Sequence, residues 1–148
     1  MKDVIAFYDE SKEYFEFANY YPAPILLDGT IWSTVEHYFQ AQKTNIPEWK
    51  EKIRSAENPD EAKKIGWEVP DYNDEYWLAH RDEVMSKAVI AKIGQHPHIR
   101  ELLISTGSQT LIEDSPNDTY WGMVQGHGEN RMGKLLMKIR ETIRSEDT

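Results

Sequence analysis

Three prolines set the plan of this chain. Pro47, Pro59 and Pro97 each lack a backbone N–H and crowd the preceding helical turn, so no regular helix runs through them. The stretch from residue 33 onward therefore reads as a series of separate helices. The first covers about 33–45 and is stopped by Pro47, and a short one follows at 47–55. Asn58-Pro59-Asp60-Glu61 combines a cap, a first-turn proline and an acidic first turn, which predicts a helix to about Gly66. The longest helix is expected over 74–95, with Trp77, Val84, Ala88, Ala91 and Ile93 facing inward, and Pro97 ends it. Another covers 98–106 and stops at Gly107. The last, from Asn130 to Arg144, keeps helical spacing in Met132, Leu135, Leu136, Ile139 and Ile143.

The β signals are fewer. Val4 to Tyr8 reads as a short strand. Asp28-Gly29 between two apolar triplets is a hairpin signal for residues 25–32. Residues 15–22 alternate briefly and break at Pro22, while Leu111-Ile112-Glu113-Asp114 is a second short strand. With no internal repeat and no low-complexity linker, the expected fold is mainly α with a small N-terminal β element, in a single domain over 1–148.

Composition narrows the function classes. Cysteine is absent, which removes disulfides, thiolate metal sites and cysteine nucleophiles. The formal charge of −9 argues against broad DNA binding and against anionic membrane surfaces, because both need a positive face. No apolar run approaches the ~20 residues that cross a bilayer. Met1 to Glu10 has no secretory pattern, so a cytoplasmic location is expected. Five Trp, eight Tyr and four Phe, several beside Gly, Pro or charge, suit a flat ligand as well as a core.

Residues 32–43 carry the densest chemistry. On a helix, Glu36, Gln40 and Lys43 share one side. Two readings of Glu36 stand open: a capping box with Ser33, or a general acid/base. Lys43 is either a solvated lysine or an amine able to form an imine with a sugar aldehyde, if burial lowers its pKa. Trp77, at a helix entrance, is either core or a stacking platform for a nucleobase. Asp114 ends a short strand and belongs either to a turn or to a catalytic group, and Tyr120-Trp121-Gly122 adds a second aromatic platform. The stretch from Trp121 to Asn130, with Gly122, Gly126 and Gly128, feeds a helix N-terminus whose free N–H groups suit phosphate, supported by Arg131 and Lys134. It is not a Walker loop. His96 and His98 flank Pro97 and no metal-ligand pattern emerges, so neither metal nor cofactor is expected.

Together these segments resemble the YbiA-like family, also called NADAR. The resemblance rests on Phe17-Ala18-Asn19, Tyr21-Pro22, Asp28-Gly29, Trp32 and Thr34-Val35-Glu36-His37-Tyr38-Phe39-Gln40-Ala41-Gln42-Lys43. It continues through Trp77, Gln95-His96-Pro97, Ser105-Thr106-Gly107, Leu111 to Asp114, Trp121-Gly122, Asn130 and Gly133-Lys134-Leu135-Leu136. It implies a mostly helical N-glycosidase acting on a small nucleotide-like substrate. That substrate would be an early riboflavin-pathway ribosylamine phosphate or ADP-ribosylated guanine. By matching positions it implies Glu36 and Asp114 as catalytic carboxylates, with Lys43 as the amine that captures the opened ribose. Trp77, Asn19, Trp121, Gly122, Asn130 and Lys134 are the implied substrate contacts. A non-catalytic ADP-ribose or nucleotide-binding module, and a purely structural interaction domain, are the rival expectations. Two departures bear on phosphate recognition: Trp67 stands where many relatives have arginine after Gly66, and the 122–130 loop carries Met123 and Val124.

Overall fold

The computed structural model describes residues 3–146. Four short strands and six helices follow in the order β1 (Val4–Phe7), β2 (Ile25–Leu27), β3 (Thr30–Trp32), α1 (Val35–Ala41), α2 (Pro47–Arg54), α3 (Pro59–Gly66), α4 (Asp74–Gln95), α5 (Pro97–Ser105), β4 (Thr110–Glu113) and α6 (Arg131–Glu146). A single 3-10 turn, Phe15–Phe17, replaces the brief alternation expected there. The predominantly helical fold expected from the sequence is the fold observed.

The chain packs as two compact units. One holds the described residues up to Ala18 and from His96 onward, and the other holds Asn19–Gln95. The first unit is built on β1 and β4, which pair in parallel with Ile5 opposite Leu111 and Phe7 opposite Glu113. Helix α6 lies against β4 closely enough that a Cβ on Gly133 would land on the Leu111 carbonyl. The core here includes Phe7, Phe17, Leu111, Met132 and Leu136, all fully buried, and Phe7 meets Phe17 edge-on at 5.8 Å. Asn130 braces the junction: its Oδ1 accepts from the Glu113 N–H at 3.0 Å and its Nδ2 donates to the Leu111 carbonyl at 2.9 Å.

The second unit is organised around α1. All seven of its residues are buried, and it packs against α2, α3, α4 and β3. The hairpin β2–β3 forms as the Asp28-Gly29 signal predicts, with φ positive at both residues (54° and 77°) and Ile25 opposite Trp32. Asp28 then joins the hairpin to the helices, accepting from Tyr38 Oη at 3.0 Å and Lys87 Nζ at 2.8 Å. The proline-marked starts are placed as expected at Pro47 and Pro59, and Asn58 Oδ1 accepts from the Glu61 N–H at 2.8 Å. In α4, Trp77, Ala88 and Ile93 are buried as expected, but Val84 and Ala91 are only half so. Met85, Val89 and Lys92 fill the inner stripe instead.

The helix expected over 33–45 is shorter, and its cap differs. Thr34, not Ser33, is the N-cap, with its Oγ1 accepting from the His37 N–H at 3.1 Å. His37 therefore occupies the position a capping box reserves for glutamate, and the Ser33–Glu36 box is not made. Lys43 lies two residues beyond the helix end, in a turn whose N–H donates to the Gln40 carbonyl at 3.1 Å.

Candidate active site

Release from capping leaves the Glu36 carboxylate for other work. It is 6 % exposed, and its backbone N–H donates to the Asn19 carbonyl at 3.3 Å. One turn along, Gln40 Nε2 donates to Glu36 Oε2 at 2.7 Å. A carboxylate only accepts, so this contact also fixes which way the Gln40 amide points. Its Oε1 is then a buried acceptor with no hydrogen-bond partner among the described residues. Gly66 explains how the amide fits, since a Cβ there would collide with Gln40 Oε1. The carboxylate is thus held by a buried amide, which is in turn seated against a glycine of α3.

Lys43 completes this group. Its ammonium lies 5.1 Å from the centroid of the Trp67 ring and 5.7 Å from that of Trp77. No hydrogen bond or salt bridge holds it among the described residues. Burial lowers its pKa below the usual lysine value and the charge of Lys63 adds to that, while Glu36 pulls the other way. A half-buried lysine tuned downward, with a carboxylate acting on it, is the arrangement expected of a nucleophilic amine. Trp77 is fixed from behind by Phe39, with ring centroids at 4.9 Å and planes at 62°. It is only 5 % exposed, whereas Trp67 is 75 % exposed. The second unit therefore brings Glu36, Lys43, Trp77 and Asn19 together, and adds Gln40, Gly66 and Trp67.

The remaining expected residues lie in the first unit. Asp114 follows β4 directly, its N–H donating to the Phe7 carbonyl at 2.8 Å and its carboxylate pairing with Lys12 at 3.0 Å. Asp118 Oδ1 accepts from the Tyr120 and Trp121 N–H groups at 2.8 and 2.9 Å, which fixes the turn carrying the half-buried Trp121. Gly122 is needed for close approach, since a Cβ would lie 2.5 Å from the Glu113 carbonyl. Lys134 is exposed on α6. The expected row of free amides at the start of α6 is corrected by the structure. The N–H groups of Glu129, Asn130, Arg131 and Met132 donate to the carbonyls of Thr119, Gly122, Tyr120 and Trp121 at 2.8–3.2 Å. The preceding loop folds back over the helix end and takes up these amides. No His, Asp and Glu group that could hold a metal ion occurs among the described residues.

The chain as a whole matches a known group of proteins. The profile of the NADAR domain matches residues 6–144. The chain belongs to the NADAR domain family. It is 40 % identical to N-glycosidase YbiA of Escherichia coli K12 over 144 residues, covering 97 % of this chain and 90 % of that protein. It is 38 % identical to N-glycosidase Npun_R5314 of Nostoc punctiforme, covering 95 % and 93 %. A riboflavin biosynthesis protein of Vibrio vulnificus, VVA0006, is 35 % identical, and there the NADAR-like region is 39 % of a longer chain. The NMR structure of E. coli YbiA superposes with a TM-score of 0.87, covering 99 % of this chain and 89 % of that one. This NADAR chain is accordingly an enzyme of the N-glycosidase class. No helix among its described residues is long and apolar enough to cross a membrane.

Proposed function

We propose that the chain hydrolyses the bond between the anomeric carbon of a ribose and the nitrogen of a base in a small, phosphate-bearing, cytoplasmic nucleotide substrate. ADP-ribosylated guanine and a riboflavin-pathway ribosylamine phosphate are the two candidates. The observation that carries this reading is the Lys43 amine, half-buried beside two indoles and acted on by the buried Glu36 carboxylate.

The neutral amine attacks the anomeric carbon as the bond to the base breaks, and the electron pair leaves with the base nitrogen, which takes a proton from water. Lys43 nitrogen then loses a proton to Glu36. The ring oxygen takes that proton as the sugar opens, leaving a protonated imine. Water adds to the imine carbon, and its hydrolysis returns the sugar aldehyde and the free lysine. Gln40 keeps Glu36 oriented throughout, which a proton carrier acting at two atoms in turn requires. Asp114 is assigned to the ribose hydroxyls or to water on the family resemblance, a role that Asp114→Asn tests independently of Lys43.

Borohydride added during turnover, followed by peptide mass spectrometry, is expected to leave the sugar on Lys43. Robust base release with no adduct there would sink the imine route. Glu36→Gln is expected to abolish turnover with the melting temperature nearly unchanged, because Gln40 retains a polar partner. Chromatography of released base from both candidate substrates decides between them.

A further inference from the structure

We infer that Trp67 is a specificity-determining residue of this enzyme: its exposed indole, poised over Lys43, stacks on the planar heterocyclic base that leaves during the reaction. The inference rests on the proposed glycosidase reading and adds the class of leaving group to it.

Two rings flank the Lys43 nitrogen, and they differ in what surface they offer. Trp77 is 5 % exposed and backed by Phe39, so it serves as a fixed wall. Trp67 is 75 % exposed, yet its backbone is well held at the α3 C-cap (φ −72°, ψ −15°), where its N–H donates to the carbonyls of Lys63 and Lys64, both at 3.2 Å. An indole left bare on an anchored backbone presents a large apolar face that gains from being covered.

Distance supplies the second part. A nucleophile attacks from about 3–3.5 Å, so the anomeric carbon sits that far from Lys43 Nζ, and the base hangs one bond further on. With the Trp67 centroid at 5.1 Å from the same nitrogen, a base that leaves on the Trp67 side of Lys43 comes within the roughly 4.5–7 Å centroid range of stacked rings. A base that stacks there is held beside the bond to be broken. An aliphatic amine as leaving group gains nothing from that surface.

The test compares wild type, Trp67→Ala and Trp67→Phe on three readouts. For a base-bearing substrate, Trp67→Ala is expected to raise KM about ten-fold with kcat within about two-fold, and Trp67→Phe to stay within about three-fold of wild type. Borohydride capture of ribose 5-phosphate on Lys43, which involves no base, is expected to change much less than KM in Trp67→Ala, by under about three-fold. Unchanged KM in Trp67→Ala overturns the inference. So does an equal loss in ribose 5-phosphate capture, since Trp67 would then act on the lysine alone. The third readout needs no turnover: guanosine monophosphate is expected to quench tryptophan emission in wild type and much less in Trp67→Phe. If wild type released no base from any substrate, the glycosidase reading would fall. The difference in quenching would still uphold base stacking, and its absence would overturn it.

Discussion

His37 shows how a titratable side chain next to a catalytic candidate is kept out of the chemistry. Its ring lies between Thr34 Oγ1 at 2.8 Å and the Ala56 carbonyl at 3.1 Å. The carbonyl only accepts, so Nε2 carries the proton and Nδ1 takes the Thr34 hydroxyl hydrogen. Burial lowers the His37 pKa from its ordinary 6.5, and the Ala56 contact offsets only part of that. Below pH 6.5 the unfolded chain therefore binds more protons at this residue than the folded one, and stability falls as pH drops toward the folded value. His37→Gln is expected to flatten that limb of the melting temperature against pH. Lys43 gives a parallel case above neutrality. Its folded pKa is depressed, so the folded state carries the full cost of the buried charge at low pH and sheds it as pH rises through the folded value toward 10.5. The stability gap between Lys43→Met and wild type is expected to narrow over that rise, as read by denaturant melts. At this scale the sequence was only partly legible. Ser33 and Thr34 are both able to cap, and nothing local chooses between them; the buried His37 ring, which holds Thr34, makes the choice. Trp67 reads in sequence as a missing arginine, and only its placement over Lys43 gives it a role.

Helix α1 is the element on which the proposed chemistry rests, and its neighbours constrain it from two sides. Thr34 ties down its N-terminus, and Thr34→Ala is expected to cost about 1 kcal/mol in urea unfolding. Against its middle, α3 presents Gly66 where Gln40 needs room. Gly66→Ala is expected to destabilise by about 1–3 kcal/mol, and to lower kcat because the displaced amide no longer holds Glu36. A loss of stability with kcat intact would show that Glu36 does not depend on Gln40. Element boundaries marked by proline and asparagine were readable because each acts through local backbone sterics and capping. The start of α6 was not, since its amides are met by carbonyls of residues 119–122 arriving from a folded loop.

For the whole molecule, the charge of −9 sets the expected partner range. A short duplex DNA is expected to give no saturable anisotropy change at physiological salt, whereas a small nucleotide substrate is bound and turned over. Tight duplex binding would require a basic face that the composition does not suggest. The helical character of the fold was legible from periodicity and punctuation. The β1–β4 pairing was not, because strands so far apart in sequence carry no mark of each other and meet only through tertiary packing.

That parallel pair has a consequence for how the polypeptide is made. Val4–Phe7 is translated before Asn19–Gln95, but its partner Thr110–Glu113 only after it. Until then Ile5 and Phe7, buried in the finished protein, have no strand beside them and form an apolar edge open to solvent. The middle of the chain meets no such delay, since β2 pairs with β3 and α1 packs against α2, α3 and α4 within it. Stalled nascent chains released at successive lengths are expected to gain protease protection across 19–95 before they gain it at Phe7, and a nascent-chain chaperone is expected to bind at Val4–Phe7 during that interval.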